Sequence, residues 1–202
     1  MDTNSNSQLI KKIMKKLTII FTIILSVFSK NVMAQGEHPS NKQSEHPSNK
    51  TASNTIVDVA VSNKDFSTLV AALKAADLVS ALQGAGPFTV FAPTNDAFAK
   101  IDAETLASLL EKKNQKVLAN ILTYHVISGK LAAADVVAAL EKGKGSVVLT
   151  ALNGEAITVM QKDGKIWLKD SNDNYSEITA TDVMADNGVI HVINTVVMPK
   201  ND

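Results

Sequence analysis

The amino-acid sequence predicts an α+β domain in which helices come first and strands follow. Apolar residues recur at helical spacing over most of residues 54–140, whereas short β-branched segments dominate after residue 145. Asn153-Gly154 and Asp163-Gly164 are two-residue turns of the kind that β-hairpins favour. Because the later strands follow one another without helices between them, the pattern argues against alternating βαβ units.

The first 34 residues are predicted to be a cleavable signal peptide. Four lysines between positions 11 and 16 precede the apolar run Leu17–Phe28, and Val32-Met33-Ala34 follows it as the stretch that signal peptidase reads. The run is shorter than the roughly 20 apolar residues that cross a membrane, although an uncleaved anchor is the alternative. We expect cleavage between Ala34 and Gln35, export to the periplasm or the extracellular space, and no stable membrane insertion of the mature domain.

Residues 35–53 are predicted to be a polar linker. They contain a tandem octapeptide repeat, Gly36–Gln43 followed by Ser44–Thr51, which has no large apolar residue that could pack. His38 and His46 could bind a metal ion weakly, but a solvated linker histidine in each copy is the simpler interpretation. The globular domain is therefore expected at residues 54–199.

The first half of this domain is predicted to be mostly helical. The apolar residues of 66–73 lie on one helix face, and Asn63 or Asp65 can cap that helix. A short helix is predicted from Asp77 to Gly84. Thr94 or Asn95 can cap the next helical turn, and apolar spacing predicts further helices around 97–101, 106–110, 117–122 and 132–140.

Strands are predicted where the apolar period changes from helical spacing to short β-branched or aromatic runs. Phe88–Phe91 is such a run, bounded by Gly86-Pro87 and Pro93. Tyr124–Ile127 is predicted to be a second strand, which would place Tyr124 and His125 on opposite faces. The remaining strands are predicted at 147–152, 155–161, 165–169, 175–181 and 189–197.

Three segments of the domain resemble the fasciclin-like family of secreted or cell-surface adhesion proteins. They are Gly86–Phe98 (GPFTVFAPTNDAF), Leu122–Gly129 (LTYHVISG) and Asn187–Asn194 (NGVIHVIN), which runs on to Val197-Met198-Pro199. The resemblance covers nearly all of the mature domain. It implies a wedge-shaped β-sheet core flanked by helices, and a role in contacts between cells, matrix and surfaces.

The residues of these motifs are interpreted as structural rather than catalytic. Asp96 suits the first turn of a helix, and Gly188 suits a tight turn before the last strand. The resemblance implies a neighbour for His125 near Asp96. We expect a histidine held by hydrogen bonds rather than a general base, because no nucleophile accompanies it. The motif residues in this group are Thr94, Asp96, Tyr124, His125, Gly188 and His191.

Composition excludes several kinds of site. The chain has no cysteine, so disulfides, thiolate nucleophiles and cysteine metal sites are absent, and it has no arginine to grip phosphate in two places. Without the five lysines and one aspartate of residues 1–34, 15 basic and 19 acidic residues remain, a net charge of −4. We expect no nucleic-acid partner, no cofactor and no enzymatic activity.

Asp170–Asn174 imitates the start of a calcium-binding loop. Tyr175 stands where that loop requires glycine, and Thr181 stands where it requires a bidentate glutamate. We therefore interpret the segment as a polar hairpin turn without a metal. Asp170, Asp173 and Glu177 are expected to remain solvated.

The candidate binding residues are Asp182, Val183 and Met184, just before the last strand. The resemblance associates this place with recognition of cell-surface receptors in animal members, although Val183 replaces isoleucine here. The alternative is a turn in which Val183 and Met184 belong to the core. We expect an adhesion or interaction module whose partner is an unknown extracellular protein or surface component. The alternative function is an extracellular binding protein for a small apolar ligand.

Overall fold

The computed structural model describes residues 54–200, and the signal peptide and linker predicted for residues 1–53 lie outside them. Every helix of the described part is too short or too polar to span a bilayer. The α-helices are α1 Ile56–Ser62, α2 Ser67–Ala75, α3 Val79–Leu82, α4 Asn95–Phe98, α5 Ala103–Leu109, α6 Gln115–Tyr124 and α7 Ala133–Lys142. The strands are β1 Phe88–Pro93, β2 Val126–Ser128, β3 Ser146–Thr150, β4 Ala156–Lys162, β5 Lys165–Lys169, β6 Tyr175–Ala185 and β7 Gly188–Ile193.

The strands form one mixed sheet, and the α+β prediction is confirmed. Its seven strands lie in the order β2-β1-β7-β6-β5-β4-β3. The pair β1–β7 is parallel and the other pairs are antiparallel. Both predicted hairpins are present. Asp163-Gly164, at φ 55° and 73°, forms a two-residue turn, whereas Asn153-Gly154, with Gly154 at φ 90°, lies in the longer connection 151–155 between β3 and β4. These positive φ values explain the glycines, because other residues rarely adopt them.

Residues 54–200 hold two apolar clusters. The first lies among α1, α2, α6 and the strands β1 and β7, and it includes Phe66, Leu73 and Leu122. The second lies between α7 and β3–β5, where Leu140 meets alternate strand residues such as Ile157 and Leu168. Each strand turns one face to these clusters, because successive side chains point to opposite sides of a sheet.

Hydrogen bonds join the first residues of the domain to the turn between β6 and β7. Asn54 and Asp186 exchange two hydrogen bonds through the backbone and the Asp186 carboxylate. The Asn187 side chain accepts from Ile56 N at 2.9 Å and donates to the carbonyls of Leu82 and Gly84. One asparagine therefore joins α1, α3 and the sheet.

Several element boundaries differ from the sequence predictions. Tyr124 ends helix α6 and His125 caps it, so the strand predicted from Tyr124 begins only at Val126. Asp77 has φ 59° and lies before α3, which starts at Val79 rather than at Asp77. Strand β6 continues past Thr181 to Ala185. Strand β6 is extended by its pairing with β7, which continues to Ala185.

Candidate functional site

The residues Thr181–Met184, here called the Asp182 corner, lie in a bulge of strand β6. The pairing of β6 with β5 ends at Glu177, and from Ile178 onward β6 pairs with β7 alone within the described residues. The register against β7 shifts between Ile178 and Ala180 and again between Ala180 and Val183. Bulges of this kind re-aim side chains and protect an exposed strand edge from pairing with other strands.

Asp182 adopts the left-handed conformation in this bulge, with φ 59°. Aspartate tolerates that conformation better than most residues, because its short polar side chain bonds locally. Its Oδ1 accepts a hydrogen bond from Ala133 N at 2.8 Å, at the first residue of α7. The residue before the helix, Ala132, has no side-chain acceptor, so Asp182 on strand β6 caps α7 instead. A carboxylate at this end of a helix is also stabilised by the helix dipole.

His191, on the neighbouring strand β7, holds the backbone of the corner by a hydrogen bond. Its side chain is buried, Nδ1 accepts from Asp182 N at 3.4 Å, and Nε2 lies 2.7 Å from Leu131 O. Since a backbone N–H must donate to Nδ1, the ring proton sits on Nε2 and is donated to Leu131. His191 therefore holds β6, β7 and the loop before α7 together, as a structural histidine.

The exposed part of the corner is small and mixed in character. Asp182 is exposed, Val183 is half-buried against the helical cluster, and Met184 is 47% exposed. The alternative that places both Val183 and Met184 in the core is therefore wrong for Met184. A carboxylate and a thioether lie two residues apart on the same strand, on a backbone fixed by Ala133 and His191.

Tyr124 and His125 are both buried at the end of α6, so the prediction that they lie on opposite faces of a strand is wrong. Tyr124 Oη donates to Ala156 O at 2.9 Å and accepts from Ser171 N at 3.1 Å. Burial raises the pKa of Tyr124 above its ordinary value. The tyrosine thus joins the end of α6 to β4 and to the turn after β5.

His125 lies between the end of α6 and the C-terminal segment. Its Nε2 accepts from Val197 N at 3.3 Å, so Nδ1 carries the proton and donates to Ile121 O at 2.8 Å. Burial lowers the pKa of His125 to about 4, which keeps the ring neutral near pH 7. These partners replace the neighbour near Asp96 that the resemblance implies, because Asp96 is exposed on α4.

Thr94 and Gly188 have structural roles, one of them for a different reason than predicted. Thr94 caps α4 as predicted, since its hydroxyl accepts from Ala97 N at 3.3 Å. Gly188 has no positive φ and makes no turn. A Cβ there would lie 2.1 Å from Phe88 O, so the close approach of β1 and β7 requires glycine.

Asp170 is buried, so the prediction that it stays solvated is wrong. Its Oδ1 accepts from the backbone N of Asn172 and Asn174, and its Oδ2 accepts from Met198 N at 3.0 Å. Backbone and side-chain amides thus occupy the oxygens that a calcium ion would use. No group of three or more acidic or histidine side chains in residues 54–200 is arranged to hold a metal ion.

Three residues with structural or surface roles were not singled out from the sequence: Thr89, Asn187 and Trp167. Buried Thr89 holds the loop before α7, because its hydroxyl donates to Gly129 O and accepts from Leu131 N. Asn187 and Trp167 were also missed. Asn187 stands inside a recognised motif, which was a usable signal, whereas the single tryptophan of the chain could have been noticed as an uncommon residue on a strand.

The domain has a small interior cavity and a larger open cleft on its surface, which differ in the size of ligand they could hold. The cavity between the first helices and the sheet, next to His125, has a volume of about 20 Å³. That is room for about one water molecule. A more open cleft of about 510 Å³ lies over β4 and β5, lined by Met160, Lys162, Asp163, Trp167 and Tyr175.

Comparison with known proteins places this geometry in a family. The model of the fasciclin domain matches residues 64–199. Protein sll1483 of Synechocystis sp. is 52% identical over 167 residues, covering 83% of this chain and 86% of that protein. Transforming growth factor-beta-induced protein ig-h3 of Sus scrofa is 38% identical over 146 residues, covering 72% of this chain and 19% of that protein.

A solved structure shares the fold. The FAS1 domain pair of the insect cell adhesion molecule Fasciclin I superposes with a TM-score of 0.62 at 21% identity, covering 71% of this chain and 50% of that chain. The three motifs, the mixed sheet and the family match agree. The chain belongs to the fasciclin domain family.

Proposed function

We propose that this protein is a secreted, non-catalytic adhesion or interaction module that contacts an extracellular protein or surface component through the Asp182 corner. One observation carries the proposal. The bulge presents an exposed carboxylate and an exposed thioether on a backbone that Ala133 and His191 hold in place. A preorganised patch of this kind loses little conformational entropy on binding.

Family membership supports the same function. The insect Fasciclin I is a cell adhesion molecule, and this chain shares its fold. The histidines of the described domain are both engaged structurally, so neither is placed to act as a general base. The charge of the mature chain is small and negative, which favours neither nucleic acid nor an anionic membrane surface.

The corner is tested by changing its two exposed side chains separately. Asp182→Asn keeps the αL tolerance and the acceptor for Ala133 N while removing the charge, and Met184→Ser removes the apolar contact. We expect each to weaken attachment of the mature chain to cells or matrix extracts by roughly fivefold or more, which corresponds to a loss of about 1 kcal/mol on truncating a contributing interface residue. Circular dichroism melting should show both variants folded.

Val117→Ser is the matched control, because Val117 on α6 is 53% exposed and lies outside the corner. It should attach like the unchanged protein. Attachment that survives both corner changes, with the control also unaffected, would assign binding to another surface.

Export is tested by the N-terminus of the mature protein. Because Val32-Met33-Ala34 fits the cleavage rule, we expect the exported chain to begin at Gln35. Mass spectrometry of the protein recovered from the medium or periplasm measures this directly. A protein that retains Leu17–Phe28 and sediments with membranes would make it an anchored rather than a freely secreted module.

A further inference from the structure

On the outer face of strands β4–β6, apolar and aromatic side chains lie beside charged ones, among them Glu177, which pairs with Trp167. Met160 on β4 pairs with Trp167 on β5, and Tyr175 on β6 pairs with Lys169 in the next row of the same face. Tyr175 is 49% exposed. Together with Lys162 and Asp163, these side chains line the open cleft of about 510 Å³, here called the Trp167 cleft. Its volume lies within the range of ordinary ligand sites, roughly 300–1,000 Å³.

Trp167 supplies an observation that points to a ligand. Its indole Nε1 is shielded from solvent and has no hydrogen-bond partner, and it is the single side-chain atom of this kind in the described domain. A buried donor without an acceptor is unfavourable, so a ring movement toward an acceptor would be favoured. Because Nε1 is shielded, an acceptor bound in the Trp167 cleft would reach it only after such a movement of the ring.

The charges around the cleft argue against an ionic ligand. Lys165 is paired with Glu177 at 2.8 Å, and Lys169 is paired with Asp173 at 2.7 Å. The remaining lining charges, Lys162 and Asp163, are adjacent to the β4–β5 turn and have opposite signs. A neutral ligand with hydroxyl groups can bond to both, whereas a polyanion would meet a surface without net positive charge.

We propose that the Trp167 cleft is a binding subsite for a neutral saccharide, one or two pyranose units of a polysaccharide. A pyranose has an apolar C–H face that packs on an aromatic ring, and hydroxyl oxygens that accept from an indole N–H or an ammonium group. Trp167 and Tyr175 provide the ring surface, and Lys162 and Asp163 provide polar contacts at the edge. The site is separate from the Asp182 corner, because five residues of β6 lie between Tyr175 and the corner, which is roughly 20 Å along the strand.

Trp167 is the single tryptophan of the chain, so its fluorescence reports on the cleft directly. The mature protein is titrated with neutral hexasaccharides of glucose linked β-1,4, glucose linked α-1,4 and N-acetylglucosamine. We expect at least one to shift or quench the emission saturably, with a dissociation constant on the order of 0.1–1 mM. Polygalacturonate oligosaccharides and a single-stranded oligonucleotide serve as anionic probes, and both are expected to bind at least tenfold more weakly.

Variants locate the site. Tyr175→Ala is expected to weaken binding by roughly tenfold, whereas Val148→Ala, on the same face and 63% exposed but outside the cleft, should not change it. Trp167→Phe, measured by calorimetry, should also weaken binding because it removes the N–H and ring area. Met184→Ser should leave saccharide binding unchanged, so this test is independent of the corner.

Three outcomes would overturn the proposal. They are no saturable change with any neutral hexasaccharide up to about 10 mM, binding that Tyr175→Ala leaves intact, and tighter binding of an anionic probe than of the neutral ones. A melting curve of each variant separates lost binding from lost folding. If Tyr175→Ala and Trp167→Phe both fold and both bind normally, the cleft is not the site.

Discussion

Replacing Gly188 by alanine is expected to lower the stability of the domain strongly, although the change adds a single methyl group. An alanine Cβ would lie 2.1 Å from Phe88 O and 2.7 Å from Ile56 Cδ1. The isoleucine tip can turn away, but the carbonyl belongs to the parallel pairing of Phe88 with Gly188 and cannot. The two strands must therefore separate, which costs at least about 3 kcal/mol, the upper end for overpacking.

Gly84→Ala is the matched control for this change. Its Cβ would come no closer than 3.1 Å to Ala81 O, and its φ is not positive, so we expect an effect within about 1 kcal/mol of either sign. Thermal melting of the two variants measures the contrast, and Gly188→Ala should melt roughly 10 °C below the unchanged protein. Equal melting temperatures for the two variants would show that β1 and β7 have more room than the structure indicates.

The order of helices and strands could be predicted from sequence because local chemistry decides it. Asn153-Gly154 and Asp163-Gly164 lie in the two hairpins expected of them, and the apolar spacing of 66–73 forms α2. The segment after Leu122 was misassigned, because its β-branched and aromatic residues resemble a strand. Its neighbours Leu118 and Leu122 are buried on one helix face, and that packing continues the helix through Tyr124.

The roles of single polar residues could not be predicted, because they depend on partners far away in sequence. Asp182 caps a helix that begins 49 positions earlier, and Asp170 binds Met198 N, 28 positions later. Neither partner is a distinctive residue, since each contributes only a backbone N–H. A polar run such as Asp170–Asn174 therefore looks solvated until the C-terminal segment is placed beside it.

The parallel pairing of β1 with β7 also lay beyond local reasoning. It joins residues about one hundred positions apart, and no turn sequence signals it. The glycines Gly86 and Gly188 are an indirect sign of this parallel pairing, because a side chain at either position would clash with the neighbouring backbone. A Cβ on Gly86 would lie 2.0 Å from Asn187 O, so both positions mark the place where the two strands begin side by side.

The second large effect is expected at His125, where stability should depend on pH. The folded pKa is about 4, below the ordinary value of 6.5, because burial disfavours the charged ring. Between these two values the unfolded chain binds a proton that the folded chain does not. The contribution of His125 to stability is thus complete above about pH 6.5 and is lost as the pH falls to 4, a change of about 3 kcal/mol.

His125→Gln tests this dependence, because glutamine does not titrate. At pH 7 the variant should be less stable by about 1–3 kcal/mol, since the buried groups Ile121 O and Val197 N lose a well-placed partner. This difference in stability should shrink as the pH approaches 4. Over that range the unfolded state of the unchanged protein is stabilised by protonation of His125, whereas the variant has no such group. Urea unfolding of both proteins from pH 7 to 4 measures the difference in stability, in which the titratable groups that the two proteins share largely cancel.

A deficit that stays constant with pH would contradict a depressed pKa at His125. A variant with unchanged stability at pH 7 and lost attachment would instead make His125 a binding residue, against its burial at 2% exposure. Melting curves and the attachment assay used for the Asp182 corner, both at pH 7, distinguish these results.

The same histidine predicts where acid opens the domain first. Val197 N donates to His125, and the next amide, Met198 N, donates to Asp170, so two buried side chains hold the C-terminal segment against α6 and the turn after β5. A proton on His125 removes the acceptor for Val197 N, the amide next to Met198 N. Hydrogen exchange at pH 4.5, compared with pH 7 after correction for intrinsic rates, should therefore accelerate at Val197 and Met198 before it accelerates in β4 or β5. Acceleration that begins in the strands would place the acid-sensitive contact elsewhere, because those strands have no bond to His125.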